Sequence, residues 1–86
     1  MSKPYYELKT SDFIYRKFTQ EVDEQELVWH RDKKDREVTV LGSTDWMFQF
    51  ENELPRQLID TVFIPKDTYH RIIKGTGKLG IRILEL

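Results

Sequence analysis

Short runs of alternating residues, each bounded by turn-forming residues, constrain the fold of this chain more than any other feature of its sequence. Apolar and polar residues alternate with period two in seven stretches: 13–16, 27–32, 37–41, 46–51, 61–64, 69–73 and 79–84. This period is typical of β-strands that bury one face. Segments containing Gly or Pro separate many of the runs, at 42–45, 53–56, 65–67 and 75–77. About seven or eight short strands predict an all-β sandwich or barrel.

The length of the chain favours a single domain that covers residues 1–86. Such a short chain buries a modest share of its surface, so association of two copies would stabilise it. The acidic segment 20–27 has few apolar anchors and is interpreted as a helical turn or loop.

Composition argues against several classes of function. The chain has 14 Lys and Arg against 15 Asp and Glu, and it lacks Cys. No basic field therefore attracts nucleic acid, and neither disulfides nor thiolate-bound zinc can form. Without an apolar run near the ~20 residues that span a bilayer, we expect no membrane association and a cytoplasmic location. A weak phosphate contact through local basic residues is the less favoured alternative.

Three residues have the chemistry and spacing of metal ligands. His30 and Asp32 are two apart in a strand-like run, which would place both side chains on one face. His70 follows a Pro and Asp turn some forty residues later. Two imidazoles and one carboxylate with open positions favour iron(II), although manganese, nickel and zinc fit the same ligands. The sequence therefore predicts a divalent metal site at these residues.

The same residues resemble the two motifs of the cupin superfamily. The second motif of that family, Pro-x-Gly-x2-His-x3-Asn, is similar to residues 65–74, with Pro65 and His70 in their expected positions. Asp67 stands in the Gly position, where its tolerance of the left-handed region helps, and Lys74 replaces the Asn. The first motif, His-x-His-x(3,4)-Glu, resembles residues 30–37 with Asp32 in place of the second His.

The resemblance implies a small single-domain cupin-type jelly roll that binds a metal and a small molecule. It also implies a homodimer, in which the N-terminal aromatic residues could pack on the partner subunit. The Glu position of the first motif falls on Arg36 or Glu37, depending on the spacer. Alternation groups Arg36 with Val38 and Val40 and would place a cation near the site.

Four further residues are candidates for binding a small molecule. Arg36 or Arg71 would orient an anionic substrate, and Trp29 and Tyr69 would line an apolar pocket. Metal-dependent oxidation or isomerisation is then the first hypothesis. The alternative is a non-catalytic ligand-binding or assembly module, in which Asp32 pairs with an arginine in a metal-free polar cluster.

Overall fold

A computed structural model describes residues 5–21 and 27–86. Within these ranges the chain forms eight β-strands: β1 (Tyr6–Lys9), β2 (Ile14–Phe18), β3 (Arg36–Leu41), β4 (Met47–Phe50), β5 (Arg56–Gln57), β6 (Thr61–Ile64), β7 (His70–Ile73) and β8 (Leu79–Glu85). Nowhere in residues 5–21 and 27–86 is there a helix long and apolar enough to span a bilayer.

The strands form two antiparallel sheets that face each other. The larger sheet has the order β1-β2-β8-β3-β6, and the smaller has the order β5-β4-β7. Strand β8 is the centre of the larger sheet, with Ile83 opposite Ile14 on one side and Val38 on the other. The all-β sandwich predicted from the alternation is therefore confirmed.

The core lies between the two sheets and follows the period-two pattern. In β8 every second residue is buried, beginning with Leu79, while the residues between them face outward. The central residues are the aromatic and branched side chains that β-structure favours. The buried hydrophobic set consists of Phe18, Val38, Val40, Trp46, Phe48, Leu58, Val62, Ile64, Leu79, Ile81 and Ile83.

Residues 27–32 differ from their predicted strand. The segment runs along the free edge of β7, where only the backbones of His30 and His70 pair, through two N–H···O bonds of 3.0 and 2.9 Å. Past His30 the chain turns away, because the Asp32 carbonyl accepts the N–H of Asp67, at 2.7 Å, from the turn before β7. The helical turn expected at 20–27 falls mostly on residues 22–26, outside the described residues.

A hydrogen-bonded clamp closes the connection between β7 and β8 against the start of β4. Asp45 accepts the Thr76 hydroxyl at 2.6 Å and the Thr76 backbone N–H at 2.9 Å. Gly75 allows this approach, because a Cβ there would collide with the Asp45 side chain and the Trp46 amide. These bonds, the hydroxyl first, hold the pKa of Asp45 below its ordinary value of 3.8.

We expect Asp45→Asn to lower the melting temperature near neutral pH. A carboxylate with a lowered pKa stabilises the folded chain above its unfolded pKa, and this stabilisation is lost as pH falls through the folded value. The difference between the parent and Asp45→Asn should therefore shrink from about pH 7 to about pH 3 in thermal melts followed by circular dichroism. The exposed Asp12→Asn variant is the control, and a gap that stays constant in acid would contradict the role of the clamp.

Candidate metal site

Three side chains from two parts of the chain converge at one end of the space between the sheets. His70, the first residue of β7, is 3% exposed and faces inward. The backbone bridge holds His30 beside it, with ring centroids 4.3 Å apart. Asp32 follows two residues later, and each of the three residues offers a ligand atom within 4.8 Å of the others.

Both imidazoles are held in the same tautomer. Nδ1 of His30 lies 3.0 Å from the Val28 carbonyl, and Nδ1 of His70 lies 2.9 Å from the Thr68 carbonyl. A carbonyl oxygen can only accept, so each Nδ1 donates and the neutral ring keeps its lone pair at Nε2. Fixing one ring nitrogen by a backbone carbonyl is the usual way in which proteins orient a metal-binding histidine.

The carboxylate of Asp32 carries an unsatisfied atom. Its Oδ2 is buried and has no hydrogen-bond partner within the described part of the chain. Its neighbour is His70 Nε2, at 3.4 Å. Burial lowers the pKa of His70, against the raising effect of the Thr68 carbonyl, and the ring is neutral at neutral pH. Two lone pairs therefore face each other, an arrangement that a cation between them would relieve.

The dimensions of the cluster are close to those of a metal centre. First-row metals lie about 2.0–2.2 Å from imidazole nitrogen and carboxylate oxygen, so two ligand atoms are at most about 4.4 Å apart. The described group reaches 4.8 Å and needs a contraction of a few tenths of an ångström. The exposed ring of His30 has room for this adjustment. The three residues thus fit a divalent metal in number, type and spacing.

A cation of the protein already lies next to the cluster. Arg36 Nη1 is 3.3 Å from Asp32 Oδ1, and its Nη2 is 2.8 Å from Glu85 Oε2. The hydrogen bond from Arg36 lowers the pKa of Glu85 and keeps it ionised. The two carboxylates and the one guanidinium sum to a charge of −1, which favours a cation.

The cluster opens into a cavity of about 340 Å³ between the sheets. This is at the lower end of the volumes of small-molecule sites, about 300–1,000 Å³. Most of its wall is apolar, and its polar side chains belong to His30, Asp32, His70, Arg36 and Arg16. The apolar part includes Phe18, Val38, Phe48, Leu58, Val62, Ile64, Ile72 and Ile81.

The four predicted substrate-binding residues divide into two groups. Arg36 lines the cavity, and Glu37, the alternative residue for its motif position, is exposed. Trp29, Tyr69 and Arg71 are not among the described lining residues. The guanidinium of Arg71 lies 4.7 Å from the centroid of the Trp29 ring, and Arg31 lies over Tyr69 in a similar contact.

Two lining residues of interest were missed in the sequence. Arg16 lies on β2 between Ile14 and Phe18 in the inward alternation, and Tyr5 packs edge-on against Phe18 at 5.2 Å. The sequence signal for Arg16 was a cation in phase with the apolar residues Ile14 and Phe18 of the period-two alternation. Glu85, which binds Arg36 from the last strand, had no such signal because its partner is 49 residues away.

Solved structures with a similar architecture include two proteins with cupin domains. The chain aligns with a cupin domain from Bordetella pertussis over 100% of its own length and 98% of the other chain, with a TM-score of 0.64 and 14% identity. A cupin-2 domain containing protein from Shewanella frigidimarina aligns over 99% and 83%, with a TM-score of 0.64 and 19% identity. A protein from Neisseria meningitidis aligns over 95% and 81%, with a TM-score of 0.59 and 15% identity.

These similarities establish that the chain has the cupin fold, as the resemblance of its two motifs predicted. At such identities the likeness extends to the fold alone. No protein-family model matches the sequence, and no curated protein matches it. The function must therefore be inferred from the site itself.

Proposed function

We propose that this chain is a metal-dependent cupin that acts on a small molecule bound between its sheets. His30 Nε2, Asp32 Oδ2 and His70 Nε2 would hold one divalent ion, with iron(II) favoured by the two imidazoles and one carboxylate. Three protein ligands leave coordination positions for a substrate and for water or dioxygen. Oxidation or isomerisation is the class of reaction that such a centre supports.

One observation carries the proposal. Asp32 Oδ2 is buried, lacks a hydrogen-bond partner among the described residues and faces the lone pair of His70 Nε2 at 3.4 Å. A buried carboxylate oxygen without a partner is destabilising by about 1–3 kcal/mol or more. A bound cation would remove this penalty and use both lone pairs.

The other residues would orient and shield the substrate. Phe48 and Ile72 would cover its apolar part, and the low polarity of the wall would exclude water from the reacting end. Arg36 holds Asp32 through Oδ1 and leaves Oδ2 directed at the histidines. The positive charge of Arg36 at Oδ1 would oppose the charge of a metal at Oδ2.

Metal analysis tests the proposal directly. Protein purified without chelator or histidine tag, or loaded anaerobically with iron(II), should contain about one divalent metal per chain. Asp32→Asn keeps the size of the side chain and removes its charge, and it should lose most of the metal. Asp67→Asn is the matched control, because Asp67 is exposed in a neighbouring turn at φ 60°, which Asn also adopts. No metal in the parent after anaerobic loading would refute the proposal.

The second candidate is a non-catalytic binding module. The ion pair of Arg36 with Asp32 and Glu85 supports it, because a guanidinium already partners one oxygen of the carboxylate. The cavity would then bind a small ligand without metal. The Arg36 variant described in the Discussion separates the two candidates.

We propose in addition that two copies of the chain associate through β1. This strand forms one edge of the larger sheet and exposes Tyr6 and Leu8, at 72% and 64%. Apolar side chains on an unpaired edge favour pairing with another strand. Tyr5 and Phe13, expected at the same interface, contact Phe18 and Tyr15 of their own chain.

Sedimentation velocity should give twice the mass of one chain. Leu8→Lys places a charge on the edge and should shift the protein towards monomer. Leu54→Lys is the control, because Leu54 is 87% exposed outside β1. A parent protein that sediments as a monomer would contradict the proposal.

A further inference from the structure

Arg16 is a cation on the inner face of the larger sheet. It lies between Ile14 and Phe18 in the inward alternation of β2, and it lines the same cavity as the histidine and aspartate cluster. The proposed metal site makes no use of it. Its position therefore calls for a separate explanation.

Neighbouring side chains fix the direction of the Arg16 guanidinium. Its Nε donates to Glu7 Oε2 at 2.7 Å, and its Cζ lies 4.4 Å from the centroid of the Tyr5 ring. The side chain is 18% exposed. Because Glu7 takes the Nε edge, the two Nη nitrogens are the donors that remain for a ligand in the cavity. Such a fixed fork suits a planar carboxylate.

An ion pair is not required at this position for stability. Replacing a buried or half-buried pair by apolar residues of similar volume is often neutral or stabilising. The neighbouring inward positions of the sheet, such as Ile81 opposite Arg16 and Val40 opposite Ile81, are apolar. A charged fork among them is better explained by a ligand.

Arg16 and the metal cluster are separated along the cavity. Arg16 of β2 is opposite Ile81 of β8, which is opposite Val40 of β3. Arg36 lies four residues before Val40 on β3. Strand spacing and rise place the Cα atoms of the two arginines about 16 Å apart. The walls named above, including Val38, Phe48 and Ile72, supply apolar surface in the same cavity.

We infer that Arg16 binds the carboxylate of an elongated small acid whose apolar middle lies along the cavity and whose other end reaches the His30, Asp32 and His70 cluster. The inference rests on the proposed function only for the end of the ligand that reaches this cluster. A monoanion is favoured over a phosphate dianion, because Glu7 already offsets the charge of the guanidinium and the walls are apolar.

Octanoate and 1-octanol, titrated into metal-free protein by calorimetry, test the inference. Arg16→Met should weaken octanoate binding about tenfold or more, since it removes a charged hydrogen bond, and should leave octanol binding within about twofold. Arg82→Met is the matched control. Arg82 of β8 lies opposite Tyr15 of β2 and faces outward. Its Cζ is 4.5 Å from the centroid of the Phe13 ring. This control should bind octanoate like the parent.

A second variant guards against loss of folding, because Arg16→Met leaves Glu7 without the guanidinium. The double variant Glu7→Gln with Arg16→Gln replaces the ion pair by two amides, and it should lose octanoate affinity to the same extent. Equal octanoate affinity in the parent and this double variant, or no saturable binding to the parent, would overturn the inference.

Metal content is measured on the same variants. Arg16→Met should retain the metal of the parent. If octanoate binding proves independent of Arg16, the inference fails and the proposed metal site is unaffected. If octanoate binding depends on Arg16 but the parent takes up no metal after anaerobic loading, the proposed function alone is refuted.

Discussion

His70→Gln is expected to weaken metal binding by at least about 100-fold, because it removes a proposed ligand. Changing a residue that only hydrogen-bonds to a ligand costs about 10–100-fold, and loss of the ligand itself should cost more. His70 is buried, and its Nε2 is the lone pair closest to the unsatisfied oxygen of Asp32. The chain contains only two histidines, both in the cluster, so no other imidazole can substitute for it. Competition with a chromophoric chelator measures the affinity of parent and variant.

The control must separate loss of a ligand from loss of stability. Phe48→Leu is suitable, because the Phe48 ring stacks on His70 at 5.7 Å but offers no ligand atom. It should lower the free energy of unfolding by about 1–2 kcal/mol and change metal affinity little. Metal affinity that is unchanged in His70→Gln, or lost equally in Phe48→Leu, would exclude His70 as a ligand.

Arg36→Met is expected to have opposite effects on the metal-free and metal-bound protein. Without metal, two carboxylates lose their shared guanidinium, and stability near neutral pH should fall by about 1–3 kcal/mol. In the metal-bound protein the substitution removes the positive charge of Arg36 next to Asp32, and the affinity for metal should rise about tenfold or more. Urea denaturation of the metal-free protein and chelator competition measure the two effects.

The pH dependence of this variant has a defined sign. Arg36 lowers the pKa of Glu85 through a hydrogen bond, so its stabilising effect is present above the unfolded pKa and is lost as pH falls through the folded value. The stability deficit of Arg36→Met should therefore diminish in acid. Arg31→Met, which changes a neighbouring exposed arginine stacked on Tyr69, is the control. A variant that loses stability but gains no metal affinity would favour the binding module.

The architecture was predictable where one face of a strand is buried throughout. Strands β3, β6 and β8 follow strict alternation, and the positions of Val38, Val62 and Ile83 on the inner face were readable from the sequence. The Pro65 to His70 turn was equally informative. Asp67 adopts φ 60°, as its position in the motif required.

Side-chain parity around the site explains why Tyr69 and Arg71 are not among the described residues that line the cavity. In β7, His70 faces inward, so its neighbours Tyr69 and Arg71 must face outward. Residues 27–32 alternate like a strand, yet β7 offers them only one bridging residue. The short strands β1 and β5 are mostly exposed, and they depend on hairpin pairing with the neighbouring strands β2 and β4 rather than on an apolar pattern of their own. Similarly, the Arg36 to Glu85 contact arises from the register of β3 and β8.

The backbone bridge between His30 and His70 would link occupancy of the proposed metal site to the opening of residues 27–32. Two proposed ligands, His30 and Asp32, belong to the segment that this bridge attaches to β7, and Leu27 and Val28 of the same segment line the cavity. An ion bound only when the segment is docked raises its opening free energy by RT ln(1 + [M]/Kd). Amide hydrogen exchange at His30 would then slow on loading, and access to the interior would be governed by the ion's own dissociation.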